Sequence, residues 1–203
     1  MICLKRHASS RRGRPRDPAI DTRILSSTLR LIGRTGWADF SIERAAKSAD
    51  VSKATLYLRW RDKASLLVDA LHFAYPPWAL DEGPEPEESL VAVVGLMIEE
   101  LTNETGWALH RALRDPGLPA DLRHCCREIV RERLTVLDRL IERTCDQGEP
   151  EQRLDPRLIQ KCLVGAAMGE AGDILLTGRR LGSNEAEAFA RQAVRLILAR
   201  SIE

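Results

Sequence analysis

The chain has few aromatic residues and no long apolar run, and each shortage removes a class of protein. Aromatics make up 4% of the 203 residues, and no run of β-branched residues alternates with polar ones as half-buried strands require. Aliphatic residues and alanine dominate instead, which favours an all-helical protein. The longest apolar run, Leu90 to Ile98, is too short to cross a bilayer. The basic start of the chain lacks the apolar segment of a signal peptide. We therefore expect a cytoplasmic protein with no membrane partner.

Paired cysteines are also lacking. The five cysteines, at positions 3, 125, 126, 145 and 162, are odd in number and have no metal-ligand spacing, so we expect reduced thiols and no metal site. One alternative stays open for Cys125 and Cys126, which follow His124: an oxidant or soft-metal sensor, because a neighbouring imidazolium lowers the pKa of a thiol. Inert thiols on an apolar stripe are the simpler interpretation.

No catalytic constellation is visible. None of the four histidines has a serine or aspartate at a spacing typical of a proton relay, and no glycine-rich loop is present to hold a phosphate. The sequence therefore predicts neither an enzyme nor a resident cofactor.

The net charge of +1 hides a strong asymmetry along the chain. Residues 1–75 carry 15 Lys/Arg against 7 Asp/Glu, whereas residues 76–203 carry 16 against 23. A basic segment joined to an acidic one is expected when the first binds phosphate groups and the second must stay clear of them.

Residues 1–18 are predicted to form a basic, flexible arm. Arg12, Arg14 and Arg16 in the run RGRPR resemble the core of AT-hook peptides. The resemblance implies an extended segment in an A·T-rich minor groove, whose negative potential attracts guanidinium groups. A merely solvated basic tail is the alternative, but the position just ahead of the next motif favours the DNA-binding interpretation.

The stretch from Ser41 to Leu67 predicts two short helices joined by a tight turn, with a third helix starting behind them. An apolar face of the first helix recurs with the period of an α-helix in Ile42, Ala45, Ala46 and Ala49. The second helix, from Ser52 to about Trp60, is basic and rich in hydroxyls. A short helix of this kind behind a tight turn suits the DNA major groove.

These residues resemble the helix-turn-helix of the tetracycline-repressor (TetR) family. The matching positions are Ser41, Ile42, Ala45, Ala46, Ala49, Val51, Ser52, Thr55, Leu56, Tyr57, Trp60, Lys63 and Leu66. The sequence departs from the family at Asp50 and Ala54, where glycine is usual, and at Arg59–Trp60, where His/Tyr–Phe is usual. The resemblance is strong over residues 17–75 and only architectural beyond them. An ordinary helical hairpin in an all-α core is the alternative.

The resemblance implies double-stranded DNA as a partner and assigns the contacts. The residues expected to hold phosphates are Ser41, Tyr57 and Lys63, with Arg44 and Arg59 as further candidates. The residues expected to meet base edges, behind the cap Ser52, are Lys53, Ala54 and Thr55. Lys53 can donate to guanine, and the methyl groups of the other two can contact thymine.

The predicted organisation is the arm, a helix-turn-helix domain over 19–62, and an effector-binding and dimerisation domain over 63–203. In the TetR family the last two long helices pair with those of a second subunit, and the predicted helices 155–177 and 183–200 fit that homodimer interface. Glycines in the first of them indicate close helix contact, at Gly165, Gly169 and Gly172. The second carries a stripe of Ala186, Ala190, Ala193 and Ile197. Packing within one chain is the alternative.

The resemblance also implies a pocket for an unidentified small-molecule effector in the larger domain. We assign to it the large or soft residues Leu96, Met97, Trp107, His110, Leu137 and Met168, each of which could equally be ordinary core. The expected function is a ligand-responsive transcriptional regulator, most often a repressor in this family, that binds a pseudo-palindromic operator as a homodimer. A helical small-molecule-binding module without DNA-binding activity is the alternative.

Overall fold

The computed structural model describes residues 17–78, 85–103, 105–145, 155–182 and 184–199. Within these ranges every regular element is an α-helix, which confirms the predicted all-α fold. The helices are α1 (Pro18–Thr35), α2 (Ile42–Ser48), α3 (Lys53–Tyr57), α4 (Lys63–Ala74), α5 (Pro86–Thr102), α6 (Trp107–Arg114), α7 (Ala120–Cys145), α8 (Pro156–Thr177) and α9 (Glu185–Ala199). The predicted arm residues Arg12, Arg14 and Arg16 lie outside the described residues.

Side-chain caps fix where the first four helices begin. Asp17 accepts a hydrogen bond from the backbone N–H of Ala19, and Pro18 occupies the first helical position of α1. The hydroxyls of Ser41 and Ser52 cap α2 and α3 in the same way. At α4, Asp62 and the residue three positions on form a reciprocal capping box. Each cap satisfies backbone donors that the helix itself leaves without a partner.

The turn between α2 and α3 depends on a left-handed residue. Asp50 has φ of 51°, while its N–H bonds to the carbonyl of Lys47 and the N–H of Val51 bonds to the carbonyl of Ala46. This pair of bonds is the Schellman motif, in which the left-handed position usually holds glycine. Aspartate is tolerated there because its short polar side chain suits that conformation better than most. The departure from the family pattern therefore leaves the turn intact.

The described residues pack as two units. Of the described residues, the first unit contains 17–75 and 108–128, and the second contains 76–78, 85–103, 105–107, 129–145, 155–182 and 184–199. In the first unit α1 packs on α2 and α4, and α2 packs on α3. The fully buried side chains that hold these helices together include Leu29, Ile32, Phe40, Leu56, Leu66 and Leu67. These units are defined by packing, so the predicted functional boundaries at 18 and 62 stay predictions.

The second unit is built on α5, which packs against both α8 and α9. Its core is formed by aliphatic side chains from these helices and from the second half of α7, including Leu90, Val94, Ile98, Leu137, Leu163 and Val194. Ala186 and Ala190 of α9 also lie in this core, at 2% and 0% exposure. Ile197 packs against the same core, so three of the four residues of the stripe that we expected at a subunit interface are used within the chain, because that face of α9 meets α5.

In the part of the chain that the structure describes, no helix combines the length and the apolar character needed to cross a membrane.

Candidate nucleic-acid interface

The recognition helix α3 is anchored by one side chain and turns the others outward. Leu56 is fully buried, whereas Tyr57 and Leu58 are 54% and 84% exposed. Lys53 and Ala54 are also exposed. Because only Leu56 is committed to the core, the predicted base-reading side chains lie on the open surface of the unit.

The hydroxyls at the start of α3 hold each other. The Ser52 Oγ accepts a bond from the Thr55 backbone N–H at 3.1 Å and lies 2.8 Å from the Thr55 Oγ1. Ser52 therefore sets the helix start, while the Thr55 methyl group is kept in a defined orientation beside Ala54. This arrangement agrees with a role for Thr55 at base edges and a supporting role for Ser52.

Sequence reasoning missed an acidic side chain on the same surface. The Glu43 carboxylate, at the start of α2, lies 3.6 Å from the Lys53 ammonium and accepts a bond of 3.5 Å from the Tyr57 hydroxyl. Its own backbone N–H lowers the pKa of Glu43, and the Ser41 hydroxyl and the charge of Lys53 lower it further. The group is therefore a carboxylate at neutral pH, in contact with two predicted DNA contacts.

We call α1–α4 with their connections, residues 17–74, the head. Lys63 makes contacts inside the head and is also a predicted phosphate contact. Its ammonium donates to the carbonyl oxygens of Trp37 and Phe40, at 3.2 and 3.1 Å, and lies 4.1 Å from the centre of the Trp37 ring. An ammonium has three donors, so one remains for a phosphate. The predicted phosphate contact stays a prediction, but Lys63 also ties the start of α4 to the α1–α2 connection.

The two predicted phosphate-binding arginines differ in how they are held. Arg59 pairs with Asp21 of α1, with 2.6 Å between Nε and Oδ1, and its side chain is only 14% exposed. Arg44 is exposed and donates to the Asp39 carbonyl at 2.7 Å. The internal pairing makes Arg59 the less suitable phosphate ligand, because binding DNA would have to compete with an existing ion pair.

The α6–α7 connection belongs to the first unit, with α1–α4, and contacts the loop after α1. Asp115 accepts a bond of 2.7 Å from the backbone N–H of Trp37, while Arg123 donates to the carbonyl oxygens of Leu113 and Asp115. The backbone of Trp37 is thus held at its N–H by Asp115 and at its carbonyl oxygen by Lys63. A displacement of residues 108–128 would reach the start of α4 through these contacts.

Comparison with known proteins agrees with this geometry. A family described as bacterial regulatory proteins, tetR family, matches residues 24–70, from α1 into α4. The HTH-type transcriptional regulator AqdR of Rhodococcus erythropolis is 29% identical over 195 residues, which is 94% of this chain and 89% of that protein. The HTH-type transcriptional regulator YdeS of Bacillus subtilis is 28% identical over 152 residues, covering 72% of this chain and 75% of that protein.

Among solved structures, the transcriptional regulator FadR from Bacillus subtilis in complex with stearoyl-CoA superposes with a TM-score of 0.66 at 19% identity, covering 88% of this chain and 97% of that one. The fatty acid degradation regulator FadR from Bacillus halodurans gives 0.66 at 19% identity, covering 91% and 97%. At this identity the likeness shows the fold. Residues 24–70 thus carry a helix-turn-helix of the TetR family. The predicted resemblance and helix-turn-helix are confirmed, and the protein is a DNA-binding transcriptional regulator.

The effector residues predicted for this regulator have different surroundings. Within the second unit, Leu137 is fully buried in the core, Met97 packs against that core, and Leu96 is 38% exposed. Trp107 and Met168 are partly buried. Core packing accounts for Leu137, whereas the other four keep surface that a small molecule could contact.

His110 lies in the first unit, on α6. Burial lowers the pKa of His110, and the nearby charge of Arg114 lowers it further. The imidazole is therefore neutral at physiological pH, able both to donate and to accept a hydrogen bond.

A charged cluster in the second unit was not visible in the sequence. Arg133 of α7 donates to Glu100 of α5 at 2.7 Å, and its guanidinium lies 4.8 Å from the centre of the Trp78 ring, whose own N–H donates to Glu100 at 3.2 Å. These residues lie 22 to 55 positions apart in sequence, so spacing alone gave no signal of the cluster.

Cys126 does not have the properties of a sensor thiol. Burial raises the pKa of Cys126 to about 12, so the thiolate that reacts with oxidants or metals is scarce. His124 is exposed and its Nδ1 lies 3.8 Å from Glu128. No group of three or more metal-ligating side chains occurs among the described residues. The inert-thiol interpretation therefore accounts for Cys126.

We expect the internal pairing of Arg59 to be visible in stability. Replacing Arg59 with Met leaves the partly buried Asp21 carboxylate without its partner, which should lower the free energy of unfolding by about 1–3 kcal/mol. Arg61→Met is the matched control, because the Arg61 side chain is 91% exposed and should change stability by less than about 0.5 kcal/mol. Urea denaturation measures both. Equal effects would contradict a structural role for Arg59.

Proposed function

We propose that this regulator binds a pseudo-palindromic operator as a homodimer and is released or retained by a small-molecule effector. Each subunit places α3 in the major groove, with the two half-sites about 34–36 Å apart or a multiple of that distance. The observation that carries the proposal is the anchored, outward-facing α3, on which Leu56 is buried while Lys53 and Tyr57 remain exposed. Repression is the expected outcome, since an occupied operator blocks transcription.

The contacts divide into positioning and reading. Arg44, Tyr57 and the third donor of Lys63 are the candidates that hold phosphates and fix the register of the head. Lys53 is the candidate that reads guanine, because an ammonium can donate to both O6 and N7 in the major groove. Ala54 and Thr55 offer methyl groups to thymine. We assign Arg59 a structural role rather than a phosphate contact, since its charge is already paired with Asp21.

Selection of DNA fragments at physiological salt tests the proposal. The wild-type protein should enrich a short inverted repeat, and Lys53→Ala should enrich a repeat that has lost its preference at one position in each half-site, worth about 1–3 kcal/mol of discrimination. A wild-type protein that enriches no repeat would support the alternative, a helical effector-binding module without DNA-binding activity.

Arg44→Ala serves as the matched control for that selection. Like Lys53→Ala it removes one positive charge, but from a predicted phosphate contact. It should therefore weaken binding to all sequences alike and reduce the salt dependence of binding by about one unit. Lys63 is less suited to this comparison, because its replacement also removes two hydrogen bonds inside the head. A changed base preference in Arg44→Ala would contradict the division of roles.

The face of α8 that supports the homodimer is open in the single chain. A Cβ added at Gly165, Gly169 or Gly172 would meet no atom within 4 Å, so these glycines are not required by packing within the chain. Leu158 and Leu176, at 50% and 89% exposure, lie near the two ends of the same stripe. Small residues in the middle of an exposed helix face allow a second helix to approach closely, and the flanking leucines supply apolar area. We propose that α8 and α9 of a second subunit cover this face.

Gly169→Glu is expected to convert the dimer to a monomer. The substitution puts a charged side chain at the centre of the proposed helix contact, where it would lose water without gaining a partner. Within the single chain it meets open space, so folding should be retained. Thr135→Glu, at an exposed position of α7, is the matched control and should leave the mass unchanged. Sedimentation or light scattering gives the mass, and a monomeric wild-type protein would contradict the proposal.

We propose a molecule with a long acyl chain as the class of effector to test first. One solved relative by fold is a FadR in complex with stearoyl-CoA, and a fatty acid metabolism regulator of Bacillus subtilis is 22% identical over 148 residues of this chain. An effector acts only if it prefers one conformation of the protein. We propose that the effector alters the position of the head through the contacts of Trp37 with Asp115 and Lys63.

Stearoyl-CoA should raise the melting temperature and lower operator affinity in the same concentration range, because both effects report one binding event. Coenzyme A without the acyl chain is the matched control and should do neither. If both ligands leave melting and operator binding unchanged, the acyl-chain proposal is wrong, while the DNA-binding proposal stands on the selection experiment.

A further inference from the structure

The Glu43 carboxylate is an anomaly on the surface proposed to meet DNA. It is exposed, with its side chain 45% accessible, and stands beside the exposed Lys53 and Tyr57. A carboxylate placed near phosphates repels them. Sitting 3.6 Å from a proposed base-reading lysine, it also reduces the positive charge that the recognition helix presents.

The pair formed by Lys53 and Glu43 matches the chemistry of one base pair. Lys53 supplies donors only and Glu43 supplies acceptors only, 3.6 Å apart. In the major groove a G·C pair presents the guanine acceptors N7 and O6 next to the cytosine N4 amino donor. The O6 and N4 atoms are themselves one hydrogen bond apart, roughly 2.9 Å. A donor and an acceptor at the spacing seen here can therefore meet both bases of the pair together.

The match favours G·C over A·T. An A·T pair also offers an acceptor, thymine O4, and a donor, adenine N6. When thymine O4 takes the place of guanine O6, however, the thymine methyl group takes the place of guanine N7. The Lys53 ammonium then has one acceptor instead of two. Tyr57 adds to the definition of the site, because its hydroxyl bond to Glu43 holds the carboxylate on the α3 side.

We propose that Glu43 is a specificity-determining residue, whose carboxylate accepts a hydrogen bond from a cytosine amino group while Lys53 donates to the paired guanine. The proposal rests on the proposed function, since it requires α3 to enter the major groove. In the free protein Glu43 contacts both Lys53 and Tyr57. On binding, the ammonium and carboxylate each gain a base partner.

Binding of the wild-type protein and of Glu43→Gln to the selected operator and to its single-base-pair variants tests the proposal. The wild-type protein should prefer G·C at one position in each half-site by roughly 5- to 150-fold. In Glu43→Gln this preference should fall or pass to another pair, because the amide also carries donors and can pair with adenine. Preferences at the other positions should remain.

Asp39→Asn is the matched control, because it removes one exposed negative charge from the connection just before α2. It should strengthen binding to every sequence by a similar factor and keep the G·C preference. If Glu43→Gln behaves like Asp39→Asn, with all sequences strengthened alike and the preference kept, Glu43 acts only through its charge and the proposal is overturned. A wild-type protein that selects no operator is a different result, which overturns the proposed function itself.

Discussion

A five-residue helix cannot persist by itself, and the DNA-binding surface depends on the interactions that keep α3 folded. Helix formation has a costly nucleus, so an isolated segment of this length is unstable in water. Here the cost is met by burial of Leu56, by the Ser52 cap and by the left-handed turn at Asp50. With these three constraints in place, the other side chains of α3 are free to face outward.

The cations of the head are divided by their partners. Arg59 and Lys63 are tied to Asp21 and to backbone carbonyls, and they hold α1, the recognition segment and α4 together. Arg44 and Lys53 have exposed side chains that can reach DNA. The positive charge that distinguishes residues 1–75 therefore serves two purposes. Part of it stabilises the head, and part of it stays exposed, where we propose the contacts with phosphates and bases.

The same division applies to the small residues of the second unit. Ala186 and Ala190 of α9 are used in packing against α5, whereas a Cβ added at Gly165, Gly169 or Gly172 of α8 would meet no atom within 4 Å. Glycine within a helix lowers stability by up to about 1 kcal/mol relative to alanine. Three glycines on an open face therefore destabilise α8 without being required by packing within the chain. In the proposed dimer a second subunit packs against these glycines, which is why α8 rather than the alanine face of α9 is the centre of the proposed interface.

The sequence alone determined the all-helical class, the helix-turn-helix and its resemblance to the TetR family, because these depend on local periodicity, caps and fixed spacing between Ser41 and Leu66. It also determined that Asp50 lies in a turn. Only the tertiary structure decided which cations are tied inside the head, since the partners of Arg59 and Lys63 lie 38 and 23 to 26 positions away. It likewise brought Glu43 beside Lys53 and Tyr57, across a turn whose geometry no spacing rule specifies. Contacts between residues distant in sequence are set by how the helices pack, and for that reason the donors and acceptors of the DNA surface could be assigned only after folding was known.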